Sequence, residues 1–203
     1  FIKGGWINRN RYLYQNQSKI FNIIMHDASS FKKINEIELM QSNGDYNPMK
    51  KLMSTFTMAY KKAPYYNETI EILEQIASCK EVSMSRFIEN SIRVISGYLD
   101  IQTKILVSSD IEKTEGLMKE KRVMDICKRL GADIYINAIG GKELYDVSEF
   151  AENGIILKFI RMNSVEYSQF SGEFVPNLSI IDVLMFNGKE RTARLLNEFT
   201  LEE

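Results

Sequence analysis

The spacing of apolar residues divides the first half of the chain into a strand-like part and a helical part. Before residue 43, short apolar or alternating stretches are separated by polar turns, which is typical of strands. These stretches are WINRNRYLY (6–14), IFNIIMH (20–26) and INEIEL (34–39). From Pro48 onward the apolar residues follow the period of a helix. Three helical stretches are predicted there: MKKLMSTFTMAYKKA (49–63), ETIEILEQIAS (68–78) and RFIENSIRVISGYL (86–99).

The second half of the chain alternates between strand-like and helix-like stretches. KILVS (104–108) and DIYIN (133–137) predict strands, and LMKEKRVMDICKRL (117–130) predicts the helix between them. A short helix around 147–152 and the apolar run IILKF (155–159) repeat this order. We therefore predict parallel strands that are joined by right-handed crossovers.

These elements together predict an α/β fold. We expect an open, mainly parallel sheet with flanking helices in Rossmann-like layers. Residues 1–203 should form a single domain that carries a helical insertion over about 48–100. The helix at 117–130 should bury an apolar stripe against the sheet. This stripe consists of Val123, Cys127 and Leu130, with Ile126 beside it.

The stretch FVPNLSIIDVLMFNG (174–188) contains signals for the start of another helix. Pro176 disfavours a helical conformation in the residue before it. Ser179, followed three residues later by Asp182, matches a capping box ahead of an apolar run. The helix should therefore begin at Ile180.

The same stretch also contains a stop signal. The dipeptide Asn-Gly at 187–188 tolerates a left-handed conformation, so the helix should end at Phe186. Capping of this helix does not require Asn177, nor does it require Tyr167 and Gln169 upstream. The three polar residues are therefore candidates for a binding site.

Composition excludes several classes of protein. The chain has 26 basic and 27 acidic residues, and this net charge of −1 argues against an extended nucleic-acid surface or a polybasic membrane patch. No apolar run approaches the roughly 20 residues that span a bilayer. Cys79 and Cys127 are the only cysteines, and no Cys/His cluster predicts a metal site, so we expect no cofactor and a reducing cytoplasm. Because the chain begins with Phe1, we expect a fragment of a longer protein.

Two loops of the predicted sheet carry residues that could bind a phosphorylated ligand. In open parallel sheets, ligands bind beyond the carboxyl ends of the strands. Ser108 and Ser109 follow the first predicted strand, and the loop at 137–146 follows the second. Gly140 and Gly141 would allow backbone N–H groups to approach a phosphate closely. The surrounding residues do not match a Walker motif, and a plain tight turn is the alternative interpretation.

The motif WINRNR brings two arginines and two asparagines together. In an extended strand, Arg9 and Arg11 lie on one face roughly 7 Å apart, and Asn8 and Asn10 lie on the other. A solvated edge strand is one interpretation. The other is that the guanidinium groups hold a phosphate or carboxylate while the asparagines bind a polar substrate.

The sequence does not assign a catalytic base. His26, the only histidine, has a suitable side chain but follows an apolar strand, where it could simply end that strand. Asp182 is the second candidate, and it could be fully occupied as a helix cap. No nucleophile elbow is present.

Several motifs in the same order resemble the WbqC-like proteins of bacteria, and the resemblance extends over nearly the whole chain. The matching stretches are GGWINRNRY (4–12), AYKKAPYY (59–66), KRVMDICKRLGADIYINAIGGKELYD (121–146) and YSQFSGEFVPNLSIIDVLMFNG (167–188). Members of that family open with a segment like MQPYFFPYIGYF, which is absent here. Such proteins are associated with surface-polysaccharide and O-antigen gene clusters. The resemblance therefore implies a nucleotide-sugar or amino-sugar ligand, but it does not fix a reaction.

Two functions follow from combining the residues with this resemblance. The first is an enzyme that transfers an acyl or aminoacyl group to an amine of a nucleotide-linked sugar. Arg9 and Arg11 would hold the diphosphate, and the turn at 140–141 would bind a phosphate. The residues expected to orient the sugar are Asn8, Asn10, Tyr167 and Asn177. The alternative is a non-catalytic nucleotide-sugar-binding or scaffold subunit of the same pathway. The sequence leaves open whether the protein is a homo-oligomer.

Overall fold

The structure, a computed structural model, describes residues 1–2 and 4–203 and groups them into two units. The larger unit comprises Phe1–Thr103 and Glu166–Leu195, and the smaller unit comprises Lys104–Val165 and Leu196–Glu203. Six α-helices and three small, open sheets occur in the described residues. The predicted mixed α/β class is therefore confirmed.

The strands and helices are numbered in chain order. The strands are β1 (Arg9–Tyr14), β2 (Gln17–Asn22), β3 (Met25–His26), β4 (Glu38–Leu39), β5 (Ile134–Ala138), β6 (Ile156–Met162) and β7 (Phe199–Glu202). The helices are α1 (Pro48–Tyr60), α2 (Tyr66–Ala77), α3 (Met84–Tyr98), α4 (Lys119–Leu130), α5 (Val147–Glu152) and α6 (Ile180–Leu195).

A β-hairpin begins the larger unit. β1 and β2 pair antiparallel, with Arg9 opposite Asn22 and Tyr14 opposite Gln17. Gln15 and Asn16 connect them with φ angles of 51° and 57°, as a two-residue type I′ turn requires. The short strands β3 and β4 form a second antiparallel pair. The strand predicted at 6–14 is present as β1, and the one predicted at 20–26 is divided between β2 and β3. Of the strand predicted at 34–39, only Glu38–Leu39 forms, because Ile34–Glu36 is a 3₁₀ helix.

Three consecutive helices follow, as the apolar period predicts. The Asn47 side chain accepts a hydrogen bond from the backbone N–H of Lys50 at 2.9 Å, and Pro48 occupies the first turn, so α1 begins with a regular cap. α1, α2, α3 and α6 contribute to one apolar core with the hairpin. Fully buried members of this core include Leu13, Ile37, Tyr60, Met84 and Met185. The single-domain organisation with a helical insertion remains a prediction.

Helix α6 begins at Ile180, as predicted, and breaks near the predicted stop. Gly188 has φ 61° and ψ −168°, which interrupts the helical backbone before a second helical segment runs to Leu195. The ring of Tyr65 packs on Gly188, and the backbone N–H of Tyr65 donates to the carbonyl of Met185 at 3.1 Å. Glycine is therefore required at this kink for both its backbone conformation and its missing side chain.

The smaller unit contains one three-stranded sheet in the order β5-β6-β7. β5 and β6 are parallel, with Ile134 opposite Ile156, and α5 lies in the connection between them. This part of the predicted α/β pattern is confirmed. β7 adds antiparallel to β6, with Met162 opposite Phe199. β5–β6 is the only parallel pair in the described ranges, so the Rossmann-like layering is not confirmed.

The prediction of a strand at 104–108 is wrong. Residues 101–107 form neither helix nor strand, and Ser108–Asp110 form a short 3₁₀ helix. A β-branched, apolar run has the composition of a strand, but strand formation depends on the neighbours against which it can pair and pack. Without this strand, the predicted first βαβ unit does not form.

The apolar stripe of α4 is shifted from the predicted one. Cys127 is buried as expected and Val123 and Ile126 are partly buried, but Leu130 is 49% exposed. Met124, which was not part of the predicted stripe, is buried instead of Leu130. α4 ends at Leu130, where the following glycine adopts a left-handed conformation and turns the chain.

None of the helices in the described residues has the length and apolar character needed to cross a bilayer. This result agrees with the apolar runs of the sequence, all of which are shorter than about 20 residues.

The kink in α6 predicts opposite effects for two glycine substitutions. In Gly188→Ala, the new Cβ would lie 2.5 Å from ring carbons of Tyr65, on a backbone with φ 61°. We expect the free energy of unfolding, measured by urea denaturation, to fall by more than about 2 kcal/mol. The control is Gly97→Ala within α3, where no heavy atom lies within 4 Å of the new Cβ. This change should raise stability by about 0.5–1 kcal/mol. Equal effects of the two substitutions would contradict the described kink.

Candidate functional site

A cavity of about 230 Å³ lies in the larger unit. The segment at the start of β1, the helices α1 to α3 and the first residues of α6 line it. Its wall is mainly apolar and includes Phe21, Met53, Phe56, Leu73 and Phe87. The polar lining residues are Asn8, Arg9, Asn10, Ser91 and Ser179. A mainly apolar wall with a few polar groups is typical of a small-molecule site.

The two asparagines of the WINRNR motif both line this cavity. The Asn8 side-chain amide donates to the carbonyl of Ile23 at 3.1 Å, and the backbone carbonyl of Asn8 accepts from the N–H of Ile23 at 2.7 Å. These bonds hold Asn8 next to the hairpin. Asn10 Oδ1 accepts from the backbone N–H of Arg11 at 2.8 Å, which leaves its amide nitrogen free to donate.

Arg9 and Arg11 share one aromatic neighbour. The central guanidinium carbon of each lies 4.9 Å from the centre of the Trp6 ring, so both side chains are on the same side of the strand, as predicted. Arg9 Nη2 also donates to the backbone carbonyl of Gly4. Among the described residues, neither arginine has an acidic partner. The pair is therefore an ordered cationic group whose charge no described residue neutralises.

The stretch at 174–188 contributes directly to the cavity. The backbone N–H of Ser179 donates to the carbonyl of Arg11 at 2.9 Å, which joins the start of α6 to β1. Ser179, Ile180 and Ile181 line the cavity. Ser179 is only 4% exposed, and its hydroxyl oxygen has no hydrogen-bond partner in the described residues.

The predicted capping box is wrong, because Asp182 has other partners. Its Oδ1 accepts from the hydroxyl of Tyr60 at 2.8 Å. Its Oδ2 accepts from the hydroxyl of Tyr167 at 2.7 Å and from Nε2 of Gln169 at 2.9 Å. Asp182 is fully buried, so these three donors replace water around the carboxylate. Tyr60 in turn accepts the backbone N–H of Leu13 at 2.7 Å.

Burial dominates the titration of this cluster. Removal from water raises the pKa of Asp182, and the bonds from Tyr167, Gln169 and Tyr60 oppose that rise. Burial, together with the nearby carboxylate, also raises the pKa of Tyr60 and of Tyr167. Both tyrosines therefore keep their protons and act as donors. Asp182 does not line the cavity, so the cluster positions the start of α6 and the loop before it.

The remaining predicted residues of the larger unit lie outside the cavity lining. His26 is exposed in β3, with Nδ1 3.6 Å from Oδ2 of Asp27. Asn177 is exposed and has φ 59°, a left-handed conformation that asparagine tolerates better than most residues. Tyr167 is held by Asp182. The catalytic roles of His26 and Asp182 and the sugar-binding roles of Tyr167 and Asn177 remain predictions.

The predicted phosphate loops belong to the smaller unit. Ser108 and Ser109 are exposed in a short 3₁₀ helix. Gly140 and Gly141 end another 3₁₀ helix, and a Cβ on Gly141 would lie 2.8 Å from Nδ2 of Asn137. Close packing against Asn137 thus accounts for glycine at 141. Phosphate binding by these loops remains a prediction.

Sequence reasoning did not identify Trp6, Ser91 or the apolar wall as parts of the site, or Tyr60 as a partner of Asp182. Trp6 stands next to the Asn/Arg motif, and an aromatic residue beside two arginines is a usable signal for stacking. Tyr60 lies in the motif AYKKAPYY, but its partner is 122 positions away. No local pattern could have predicted that pair.

Comparison with known proteins identified one family. The model of the WbqC-like protein family matches residues 1–194. No curated protein and no solved structure matched the chain. Within the described part of the chain, no group of three or more His, Cys, Asp or Glu side chains is arranged to hold a metal ion.

The unpartnered hydroxyl of Ser179 predicts an unusual response to truncation. Replacing a helix-capping serine by alanine typically costs about 1 kcal/mol. The Ser179 hydroxyl has no partner among the described residues, so Ser179→Ala should leave the free energy of unfolding unchanged or raise it by up to about 1 kcal/mol. Tyr167→Phe, which removes a bonded hydroxyl from the same segment, should instead cost about 1.5–3 kcal/mol. A loss of similar size in both variants, measured by chemical denaturation, would assign Ser179 to the cap.

The raised pKa of Asp182 predicts a pH-dependent difference between wild type and Asp182→Asn. The folded protein holds the Asp182 proton to higher pH than the unfolded chain, where the ordinary value is 3.8. The contribution of this group is therefore fully present below that value, and it is lost as pH rises through the folded pKa. We expect the unfolding free energy of wild type minus that of the variant to decrease as pH rises from about 3 to 7. Taking the difference cancels the other carboxyl groups. An increase with pH would mean that the three donors lower the pKa instead.

Proposed function

The chain belongs to the WbqC-like protein family, and from this premise we propose that it modifies a nucleotide-linked amino sugar. The modification is the transfer of an acyl or aminoacyl group to a sugar amine, in the biosynthesis of bacterial surface polysaccharide. The pathway comes from the family resemblance, and the ligand class comes from the chemistry of the cavity and its rim.

The main support is the arginine pair stacked on Trp6 beside the cavity. Two guanidinium groups without an acidic partner in the described residues match the charge of a diphosphate, and each can form two parallel hydrogen bonds to an anion. Stacking on the indole ring restricts both side chains before the ligand binds, which reduces the entropy lost on binding.

The asparagines supply groups suited to the sugar. The Asn10 amide can donate to a sugar hydroxyl, and Asn8 lines the same cavity. In this proposal the arginines bind the diphosphate and the asparagines orient the sugar. Tyr167 and Asn177 are proposed as further contacts to the sugar. Ser108, Ser109, Gly140 and Gly141, in the smaller unit, are proposed separately as phosphate-binding loops.

The proposed reaction uses an ester or thioester as the donor. The neutral sugar amine attacks the donor's carbonyl carbon, forming a C–N bond, and the bond from that carbon to the donor's oxygen or sulfur breaks. The amine loses a proton, and the departing alcohol or thiol gains one. Of the two candidate bases, neither His26 nor Asp182 lines the cavity, so the base is left unassigned.

A second function is favoured by the composition of the cavity lining. Among the described residues, no Asp, Glu, His, Lys or Cys lines the cavity. Such a site can bind without offering a group for proton transfer. The second candidate is therefore a non-catalytic nucleotide-sugar-binding or scaffold subunit.

A product detected by mass spectrometry after incubation with an amino-sugar nucleotide and acyl donors would favour the enzyme. Binding with no turnover would favour the subunit.

The anion site can be tested by removing both arginines. We expect Arg9→Ala with Arg11→Ala to weaken binding of UDP-glucosamine at least tenfold in calorimetry, because the paired guanidinium groups are lost. Lys19→Ala is the matched control, since Lys19 is an exposed cation on the same hairpin and should not change the affinity. Each single Arg→Lys change should also weaken binding, because lysine lacks the planar fork. If the folded double variant binds UDP-glucosamine with unchanged affinity, the strand is a solvated edge strand and not an anion site.

A further inference from the structure

The apolar cavity restricts which group can be transferred. Apart from Arg9, no described residue that lines it carries a charge. An aminoacyl group carries an α-ammonium, which would enter this cavity without a carboxylate to neutralise it and close to a guanidinium of the same sign. Burying an unpaired charge is strongly unfavourable, and the nearby cation adds repulsion.

The polar atoms of the cavity suit the carbonyl oxygen of an acyl group. The Ser179 hydroxyl and Nε of Arg9 are both buried, and neither has a hydrogen-bond partner in the part of the chain that the structure describes. Both residues line the cavity. A buried polar atom without a partner is unfavourable, because it has lost its hydrogen bonds to water. Arg9 Nε can only donate, and the hydroxyl of Ser179 can donate as well. A carbonyl oxygen, which every acyl group carries, would accept from these groups. The α-ammonium of an aminoacyl group would add only donors to a cavity that already has unpartnered donors.

The size of the cavity points to part of a ligand rather than the whole. Sites for drug-sized ligands measure about 300–1,000 Å³. At about 230 Å³, this cavity suits an acyl chain of a few carbons, with the remainder of the ligand outside it next to the arginine pair.

We infer that this cavity holds the acyl group that is transferred, and that this group is a short, apolar, uncharged acyl chain rather than an aminoacyl group. The inference rests on the proposed group transfer and narrows the transferred group from acyl or aminoacyl to acyl. The acyl chain lies against Phe56, Leu73 and Phe87. Its carbonyl oxygen accepts hydrogen bonds from the Ser179 hydroxyl and from Nε of Arg9.

The test compares two probes that differ only at the α-carbon: N-ethyl-4-methylpentanamide and leucine ethylamide. Met49, Met53 and Met84 line the cavity, so protein labelled with ¹³C in its methionine methyl groups reports binding by NMR. Met118 and Met162 are exposed in the smaller unit and serve as internal controls. At pH 7 we expect the uncharged probe to shift the three cavity methyl signals with an affinity at least tenfold higher than that of leucine ethylamide.

A pH series separates charge from shape. An α-amino group titrates near pH 7.7–8.0, so leucine ethylamide becomes neutral at about pH 9. Its affinity should then approach that of the uncharged probe, whose affinity should not change. Equal affinities at pH 7, or tighter binding of the charged probe, would overturn the preference for an acyl group. Shifts confined to Met118 and Met162, or no shifts at all, would overturn the inference that this cavity binds the acyl group.

A variant that fills the cavity provides an independent check. Ser91→Leu places a larger apolar side chain on α3 in the cavity and should weaken binding of the uncharged probe at least tenfold while the protein remains folded. The matched control is Ser54→Leu on the exposed side of α1, which should bind like wild type. Undiminished binding in a folded Ser91→Leu protein would place the probe elsewhere.

The probe experiment is independent of the test with UDP-glucosamine. Amide binding without UDP-glucosamine binding would support the acyl site and reject the proposed sugar-nucleotide substrate. UDP-glucosamine binding without amide binding would support that substrate and reject the acyl site.

Discussion

The buried carboxylate of Asp182 is the interaction on which the larger unit depends. A charge-bearing group with no exposure to water is tolerated only if donors replace its hydration shell, and Tyr60, Tyr167 and Gln169 do so. Those donors come from α1 and from the loop that precedes α6. The bond from the Leu13 backbone to Tyr60 extends the network to β1. One side chain thus links three parts of the fold and holds the first turn of α6 in position.

The cavity follows from this placement. Because the start of α6 is held against β1, the backbone N–H of Ser179 contacts the carbonyl of Arg11, and Ser179 closes one side of a mainly apolar wall. The side chains of Arg9 and Arg11 are left next to Trp6, beside the cavity that Arg9 lines. An apolar interior beside an ordered cationic group is a suitable arrangement for a ligand with an apolar end and an anionic end.

Features set by local chemistry could be predicted from the sequence, and features set by distant partners could not. The helices α1 to α3 and the kink at Gly188 follow from apolar period and from proline, asparagine and glycine signals. The shared face of Arg9 and Arg11 follows from the period of a strand. The segment at 104–108 has a strand-like composition, but strand formation also needs a pairing partner. The spacing of Ser179 and Asp182 fits a cap equally well, and only the tertiary structure shows that the carboxylate has other donors.

The order of the two units along the chain has a consequence for folding. The hydrogen bond between Tyr60 and Asp182 spans 122 positions, and the whole smaller-unit segment Lys104–Val165 is synthesised between them. β7, which completes the sheet of that segment, comes later still. The larger unit therefore cannot reach its final form until α6 has been synthesised, and the smaller unit cannot do so until β7 has been synthesised. Closing such long loops slows folding. Until then, the apolar surfaces of α1 and α2 that pack against α6 stay uncovered in the nascent chain, which makes early folding the stage most sensitive to aggregation.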